Sequence, residues 1–212
     1  MGIEKFKLDV EYDFIIPKWN GSKIITMEAF KTCPRQPVGL VQNKGIGFNP
    51  FVDYFPLWSY WYPGFITEVE CGGDDVMSGP FSGCYFVKYR RDNADYVGHI
   101  GTAESSVSQN TLDVKQAWDV YAKREDVRLI CGFNPVRHIT PRKCGQKVFA
   151  IITSGNECYA LNVAVKTSAL QTTIVLLGKI KVTSLSPDEL RNLFPFAGVS
   201  AGVSAGARVW PK

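Results

Sequence analysis

Only two histidines occur in the 212 residues, and no window approaches 18 uninterrupted apolar residues. The second lack argues against a membrane-spanning helix. Charge of neither sign is massed: 24 Lys and Arg against 20 Asp and Glu leave a formal +4 and a pI of about 8.7. Scattered, mildly basic charge of this kind is a weak electrostatic footprint for nucleic acid, and none is expected as a partner. No glycine-rich phosphate loop, GxSxG elbow or HExxH stretch is present, which leaves nucleotide, serine-hydrolase and zinc-protease chemistry without support. The opening "MGIEKFKLDVEYDF" is charged from its fourth residue and has no apolar core or small-residue cleavage site. A conventional secretory signal is therefore not expected.

What is there reads as a folded, strand-rich domain. Hydrophobic content of 45% with 21% charged residues is ordinary globular composition. Six cysteines (Cys33, Cys71, Cys84, Cys131, Cys144 and Cys158) are too dispersed for the dense framework of a small secreted domain, so free thiols are the expectation. "KFKLDVEYDFII" and "SKIITMEAF" alternate apolar and polar residues around Asn20-Gly21, which predicts an N-terminal hairpin. "FITEVEC", "CYFVKYR", "DYVGHIG", "VRLICGF", "KVFAIIT", "CYALNVAV" and "TTIVLLGKIKV" follow as further strands. The later ones are nearly continuous β-branched runs, as in strands buried on both faces. Two runs meet at Ser154-Gly155-Asn156, predicting another hairpin.

Two segments read as helices, near 112–124 and 187–194. Val114, Ala117, Trp118 and Tyr121 share one helical face, with Asn110 or Thr111 available as N-cap. Ser186 is the expected N-cap of the second helix, with Pro187 at its first position and two acids following. The fold class expected is α+β: a β-sandwich or curved mixed sheet with a few helices and long loops. A single domain is expected over 1–196. Residues 197–212 repeat a small-residue tetrapeptide and read as a tail or extended strand. Residues 48–65, with nine aromatics and three prolines, read as an irregular loop laid over the body or as an aromatic rim that grips a partner.

The stretch "SGPFSGCYFVKYRRDNADYVGHIGT" carries the chemistry. A turn at Asp92-Asn93 pairs Arg91 with Ala94 and, counting back, Phe86 with His99. Cys84 is two residues from Phe86 and so falls on the same face as His99, roughly 5–8 Å away before any bulge. A shift of one residue would put the two on opposite faces. A thiol beside an imidazole can ionise as a thiolate–imidazolium pair and act as a nucleophile. Gly83 leaves room for a substrate carbonyl and keeps main-chain N–H groups near Cys84 free to act as oxyanion donors. The imidazole needs a third group to orient it: Ser78 is one candidate and a main-chain carbonyl another. Neither Gly83 nor Gly98 favours a strand, so each implies close approach of something else.

"SGC" followed, 15 residues after its cysteine, by the histidine of "VGHIGT" resembles the catalytic core of the cytotoxic necrotizing factors. The same layout occurs in the lethal-factor-type toxin of Burkholderia and in chemoreceptor glutamine deamidases. The resemblance covers about 25 residues closely. It implies a β-sandwich toxin or effector, a thiol amidohydrolase converting Gln to Glu in a host protein, with transglutamination as a close variant. By the same resemblance, Cys84 is the nucleophile, His99 the general base, and Ser78 stands where some members orient the histidine with a threonine hydroxyl. A GTPase or translation factor is the implied protein substrate. No cofactor and no metal are expected, the chain is expected to be a monomer, and its expected place is that of a secreted effector acting in the host cytoplasm, or otherwise the cytoplasm. A papain-like protease uses the same two residue types but sets its cysteine at a helix N-terminus. The reading from a different class is a non-catalytic β-sandwich module that binds protein through the aromatic loop at 48–65.

Other clusters compete weakly. His138, between Cys131 and Cys144, lacks the CxxC or HxxxH spacing of a zinc site. Arg137, Arg142, Lys143 and Lys147 read as a solvated basic face. "EVECGGDD" reads as a solvated acidic loop beside a Gly-Gly turn.

Overall fold

The computed structural model describes residues 2–15, 39–42, 56–61, 65–102, 109–139, 145–167 and 172–195. The strands are β1 (Glu11–Ile15), β2 (Gly39–Gln42), β3 (Leu57–Trp58), β4 (Ile66–Glu70), β5 (Val76–Phe81), β6 (Tyr85–Arg91) and β7 (Ala94–Ile100). Helix α1 (Gln109–Tyr121) leads to β8 (Arg128–Phe133), β9 (Gln146–Ile152), β10 (Cys158–Thr167) and β11 (Thr172–Val182), and α2 (Pro187–Arg191) follows. One sheet has seven strands in the order β2-β1-β11-β10-β9-β5-β3; the other has four, β4-β7-β6-β8. All described pairings are antiparallel except β3 with β5. The fold is α+β and sheet-dominated.

Alternation along each strand sorts the side chains into three layers. Val76, Phe81, Phe86, Val97, Phe133, Val148, Ala150, Ile152 and Ala160 fill the space between the two sheets. Met77, Phe149, Ile151, Leu161 and Leu176 point to the other side of the larger sheet, against Ile3 and Phe6 of the N-terminal segment. Tyr85, Val87, Tyr89 and Ile100, on the outer side of the smaller sheet, pack on Val114, Trp118 and Tyr121 of α1 and on Leu190 of α2. The apolar stripe read from Val114, Ala117, Trp118 and Tyr121 is thus the face that α1 presents to its sheet. The Trp118 indole N–H also donates to the Leu190 carbonyl at 2.9 Å, tying the two helices together.

Several local expectations shift. The first helix begins at Gln109, so Asn110 and Thr111 lie inside it rather than capping it. The second ends at Arg191, short of the expected 194. Its start is as the residue types require: the Ser186 hydroxyl caps Glu189 N–H, the Glu189 side chain returns to the Ser186 N–H, and Pro187 takes a position whose N–H has no helical partner. The N-terminal alternating run forms a strand only from Glu11 onward. Before it, Ile3–Lys5 close a 3-10 turn that lets Phe6 bury against Tyr12, ring centroids 4.6 Å apart. Strand β1 pairs with Gly39–Gln42, and the Asn20-Gly21 turn lies outside the described residues, as does the 197–212 tail.

Candidate active site

The β6–β7 hairpin is closed by Asp92 and Asn93, with φ of 50° and 64°. Two consecutive left-handed residues match the right-handed twist of the flanking strands, and short polar side chains tolerate that backbone best. The turn pairs Arg91 with Ala94 and so Phe86 with His99. Register then fixes the faces: Phe86 and Cys84 join the core between the sheets, and His99 sits opposite Phe86. The Phe81 ring lies parallel to the imidazole at 4.1 Å between centroids, and Phe86 meets it edge-on at 6.3 Å. His99 is fully buried between them.

Its hydrogen bonds define a tautomer. The Ser78 hydroxyl donates to the Ser59 carbonyl at 2.6 Å, and Ser78 Oγ lies 2.7 Å from His99 Nδ1. A hydroxyl has one proton, and here the carbonyl takes it. Ser78 Oγ therefore accepts, Nδ1 carries the hydrogen, and Nε2 is left as a bare lone pair. That atom is buried and has no partner among the described residues. A lone pair withdrawn from water and left without a donor costs on the order of 1–3 kcal/mol. With no charged partner at hand, burial pulls the imidazole down to about 3, so it is neutral at ordinary pH.

Cys84 is 1% exposed. Its thiol donates to the Thr102 carbonyl at 3.5 Å and accepts from the Thr102 hydroxyl at 3.4 Å. The Trp61 side chain also hydrogen-bonds the sulfur. Burial outweighs these contacts and pushes the thiol above its ordinary value. No hydrogen bond joins the sulfur to His99. The ion pair expected from the spacing is replaced here by a neutral thiol and a neutral imidazole on one face of one hairpin.

The glycines divide. Gly83 has φ of 155°, and a Cβ there would meet nothing within 4 Å. That space is at Gly83 itself and not at the buried Cys84 sulfur, and the Gly83 carbonyl accepts from Asn134 Nδ2 at 3.1 Å. At Gly98 the close approach is by Tyr89, whose Cε1 would lie 3.3 Å from a Cβ. That contact is on the helix-covered face, away from His99, so this glycine serves packing rather than the site.

Residues 57–61 add what the motif alone did not supply. Leu57 faces the core between the sheets, Trp58 the opposite side, and the next residues continue the alternation. Ser59 N–H donates to the Met77 carbonyl at 2.9 Å, extending the β3–β5 pairing past its last ladder residue. Ser59 therefore shares the face of Leu57, Ser78 and His99, and Trp61, of the same parity, reaches Cys84. The signal was a lone serine between aromatics in "PLWSYWY". Of the aromatic stretch 48–65, residues 48–55 and 62–64 lie outside the described residues.

The competing clusters resolve individually. His138 is exposed at the end of the 3-10 turn Pro135–His138, and among the described residues no group of three or more His, Cys, Asp and Glu is arranged to hold a metal ion. Arg137 and Lys147 are exposed, while Arg142, Lys143 and Cys144 lie outside the described residues. The acidic run is only partly a solvated loop. Asp74 is exposed, but Glu68 is fully buried and paired with Arg91 at 2.8 Å. Cys71, Cys84, Cys131 and Cys158 are all free and buried.

No family model and no curated protein matches the chain. Among solved structures it is similar to the C-terminal domain of CNFy from Yersinia pseudotuberculosis, at 10% identity over 84% of this chain and 89% of that one. The TM-score of 0.25 is too low to assign a family or an activity.

Proposed function

We propose that the protein is a cysteine-dependent glutamine deamidase, a thiol amidohydrolase acting on a protein substrate, its catalytic unit spanning 1–196. One observation carries the chemistry: His99 presents a buried, unpartnered Nε2 lone pair whose tautomer is fixed by Ser78 and Ser59. A base needs that lone pair, and nothing structural benefits from leaving it bare. The glutamine substrate comes from the likeness of "SGC" and "VGHIGT" to the toxin deamidases, and so do the host GTPase or translation factor and action in the host cytoplasm; the chain is taken as a monomer.

In the reaction, the Cys84 thiol proton passes to His99 Nε2 as sulfur attacks the carboxamide carbon. The tetrahedral intermediate collapses when the imidazolium returns that proton to the amide nitrogen, releasing ammonia and leaving a thioester. His99 then takes a proton from water as the hydroxide equivalent attacks the thioester carbonyl. The C–S bond breaks, the proton goes back to sulfur, and the glutamine has become glutamate. Starting from two neutral groups costs nothing in charge separation until substrate is in place.

A second reading, a non-catalytic binding module, is favoured by the near-complete burial of Cys84. Intact-mass analysis of GTPases and translation factors incubated with the protein separates the two. The deamidase reading requires the mass gain of NH2 replaced by OH, with ammonia released and both lost in Cys84→Ser and His99→Ala. Turnover that survives either substitution, or its complete absence across the panel, overturns it.

A further inference from the structure

Of the four free cysteines among the described residues, two meet across the interior. Cys131 lies on β8 of the four-stranded sheet, Cys158 opens β10 of the seven-stranded one, and both belong to the core between the sheets. Their side chains hydrogen-bond each other. The surrounding main chain draws the two strands together. Cys158 pairs with Val182, and just beyond it the Ser184 hydroxyl accepts from the N–H of Gly132, next to Cys131, at 2.9 Å. Ser184 also hydrogen-bonds the Cys158 thiol. Cα atoms of β8 and β10 come within 8 Å of each other. That is closer than the ~10 Å between sheets packed face to face. A cation faces the pair. Lys88, 3% exposed, sits directly opposite Cys131 in the β6–β8 ladder. Its ammonium donates to the Ser154 carbonyl at 3.2 Å, in the turn that leads into Cys158. Asp95 stands 4.0 Å from that ammonium but is held more closely by Arg90, at 2.6 Å, which leaves the charge of Lys88 available to a thiolate.

We propose that Cys131 and Cys158 are a peroxide-sensitive dithiol, in which Cys131 attacks the oxidant with Lys88 stabilising its thiolate, and Cys158 resolves the product into a disulfide between the two sheets. The assignment of roles follows from the surroundings. The hydrogen bond from Cys158, with Lys88 behind it, holds the Cys131 thiol below its ordinary value, whereas its bond to Cys131 and burial push Cys158 up. Cys71 and Cys84 are both raised by burial. The oxidant is hydrogen peroxide, small enough to follow water through brief openings of the core. The Cys131 thiolate, its proton lost to water, attacks one peroxide oxygen. The O–O bond breaks, hydroxide leaves and takes up a proton as water, and the sulfur, oxidised by two electrons, is a sulfenic acid. Cys158 sulfur attacks that sulfur; the S–S bond forms, the S–O bond breaks, and hydroxide departs with the Cys158 proton as a second water. Two thiols and one peroxide have become one disulfide and two waters. This chemistry uses neither Cys84 nor His99 and stands apart from the deamidase reading.

The test exposes the reduced full chain to hydrogen peroxide, quenches it with iodoacetamide in denaturant, and maps the peptides without reduction. The expected product is a disulfide from Cys131 to Cys158, formed about tenfold faster than any oxidation of Cys71 and reversed by dithiothreitol. Cys158→Ser should leave Cys131 as the sulfenic acid, trapped by dimedone added with the denaturant. Cys131→Ser should leave Cys158 unlabelled. Lys88→Met keeps the length of the side chain without its charge and should slow the disulfide about tenfold. Circular dichroism before oxidation verifies that each variant is folded; where a serine disturbs the core, alanine at the same position takes its place. A disulfide between other cysteines, oxidation of Cys71 as fast as that of Cys131, dimedone on Cys158 in place of Cys131, or a rate indifferent to Lys88 each overturn the proposal.

Discussion

Ser78 Oγ stands 2.7 Å from His99 Nδ1 and donates its one O–H hydrogen bond to the Ser59 carbonyl. The hydroxyl is therefore the acceptor that pins the ring. Ser78→Ala leaves two buried groups unpaired, the Nδ1–H and the Ser59 carbonyl, at a cost of ~1–3 kcal/mol in stability. It also frees the imidazole to place its hydrogen on Nε2, where it blocks proton transfer. Ammonia release should fall by about 100-fold, the lower end of what a misplaced general base costs. Ser78→Thr, keeping the hydroxyl, should restore most of it. Denaturant unfolding and 15N spectra of the ring check the two effects separately; an unchanged tautomer in the alanine variant would sink the orienting role.

Acid should destabilise the protein through the same ring. In the folded state the imidazole stays neutral down to about pH 3, whereas the unfolded chain takes a proton near 6.5. Between those values the unfolded state binds the extra proton, so stability is full above the upper value and is lost as the pH falls. The expected loss from His99 between pH 7 and 5 is about 2 kcal/mol. His99→Phe leaves the Ser78–Ser59 bond in place and should flatten this part of the urea-midpoint profile. An identical slope in both proteins would show that His99 is not the titrating group.

The pairing of Cys84 with His99 on one face was legible because a two-residue turn leaves no freedom in register: once Asp92 and Asn93 are the turn, parity does the rest. The α1 stripe was legible for the same reason, a period that only one geometry satisfies. Protonation states were not. The spacing of a thiol and an imidazole says nothing of how deeply both are buried, and burial is what keeps them neutral. Ser59 escaped because its role depends on a parallel partner strand, Leu57–Trp58 against β5, which lies far along the chain and has no local signature. Glu68 escaped because its countercharge, Arg91, comes from another strand.

That buried pair yields a stability prediction independent of the site. Arg91 holds Glu68 through both guanidinium nitrogens, at 2.8 and 3.2 Å, and bonds the Tyr121 hydroxyl of α1 at 2.6 Å. Tyr89 donates to the same carboxylate. Burial raises the Tyr121 phenol to about 12, so it remains a neutral partner. Arg91→Ala strands a fully buried carboxylate and should cost about 3–5 kcal/mol. Glu68→Gln with Arg91→Ala should recover part of that loss, since the charge is removed with its partner. A single variant within 1 kcal/mol of the parent, by chemical denaturation, would contradict the pairing.

We expect Trp61 to screen the nucleophile. It is 39% exposed while Cys84 is 1% exposed, and its side chain hydrogen-bonds the Cys84 sulfur. A reagent or substrate that approaches Cys84 past Trp61 is expected to displace the indole and break that bond. The observed alkylation rate is then the thiolate's intrinsic rate multiplied by the fraction of time the cover is open. Trp61→Ala removes the cover and the hydrogen bond together. The first change speeds alkylation, and the second, by withdrawing a donor to the sulfur, moves the thiol further upward and slows it. For one neutral hydrogen bond the second effect is about 1 kcal/mol, whereas uncovering a sulfur so deeply buried is worth more. The net expectation is alkylation of Cys84 faster by about tenfold at pH 8, read by peptide mass spectrometry, with Cys71, Cys131 and Cys158 unchanged as internal controls. Trp61→Phe keeps the bulk without the N–H and should stay slow. A uniform rise at all four cysteines would mean general loosening of the fold, and no rise at Cys84 would mean that the route to the sulfur lies elsewhere.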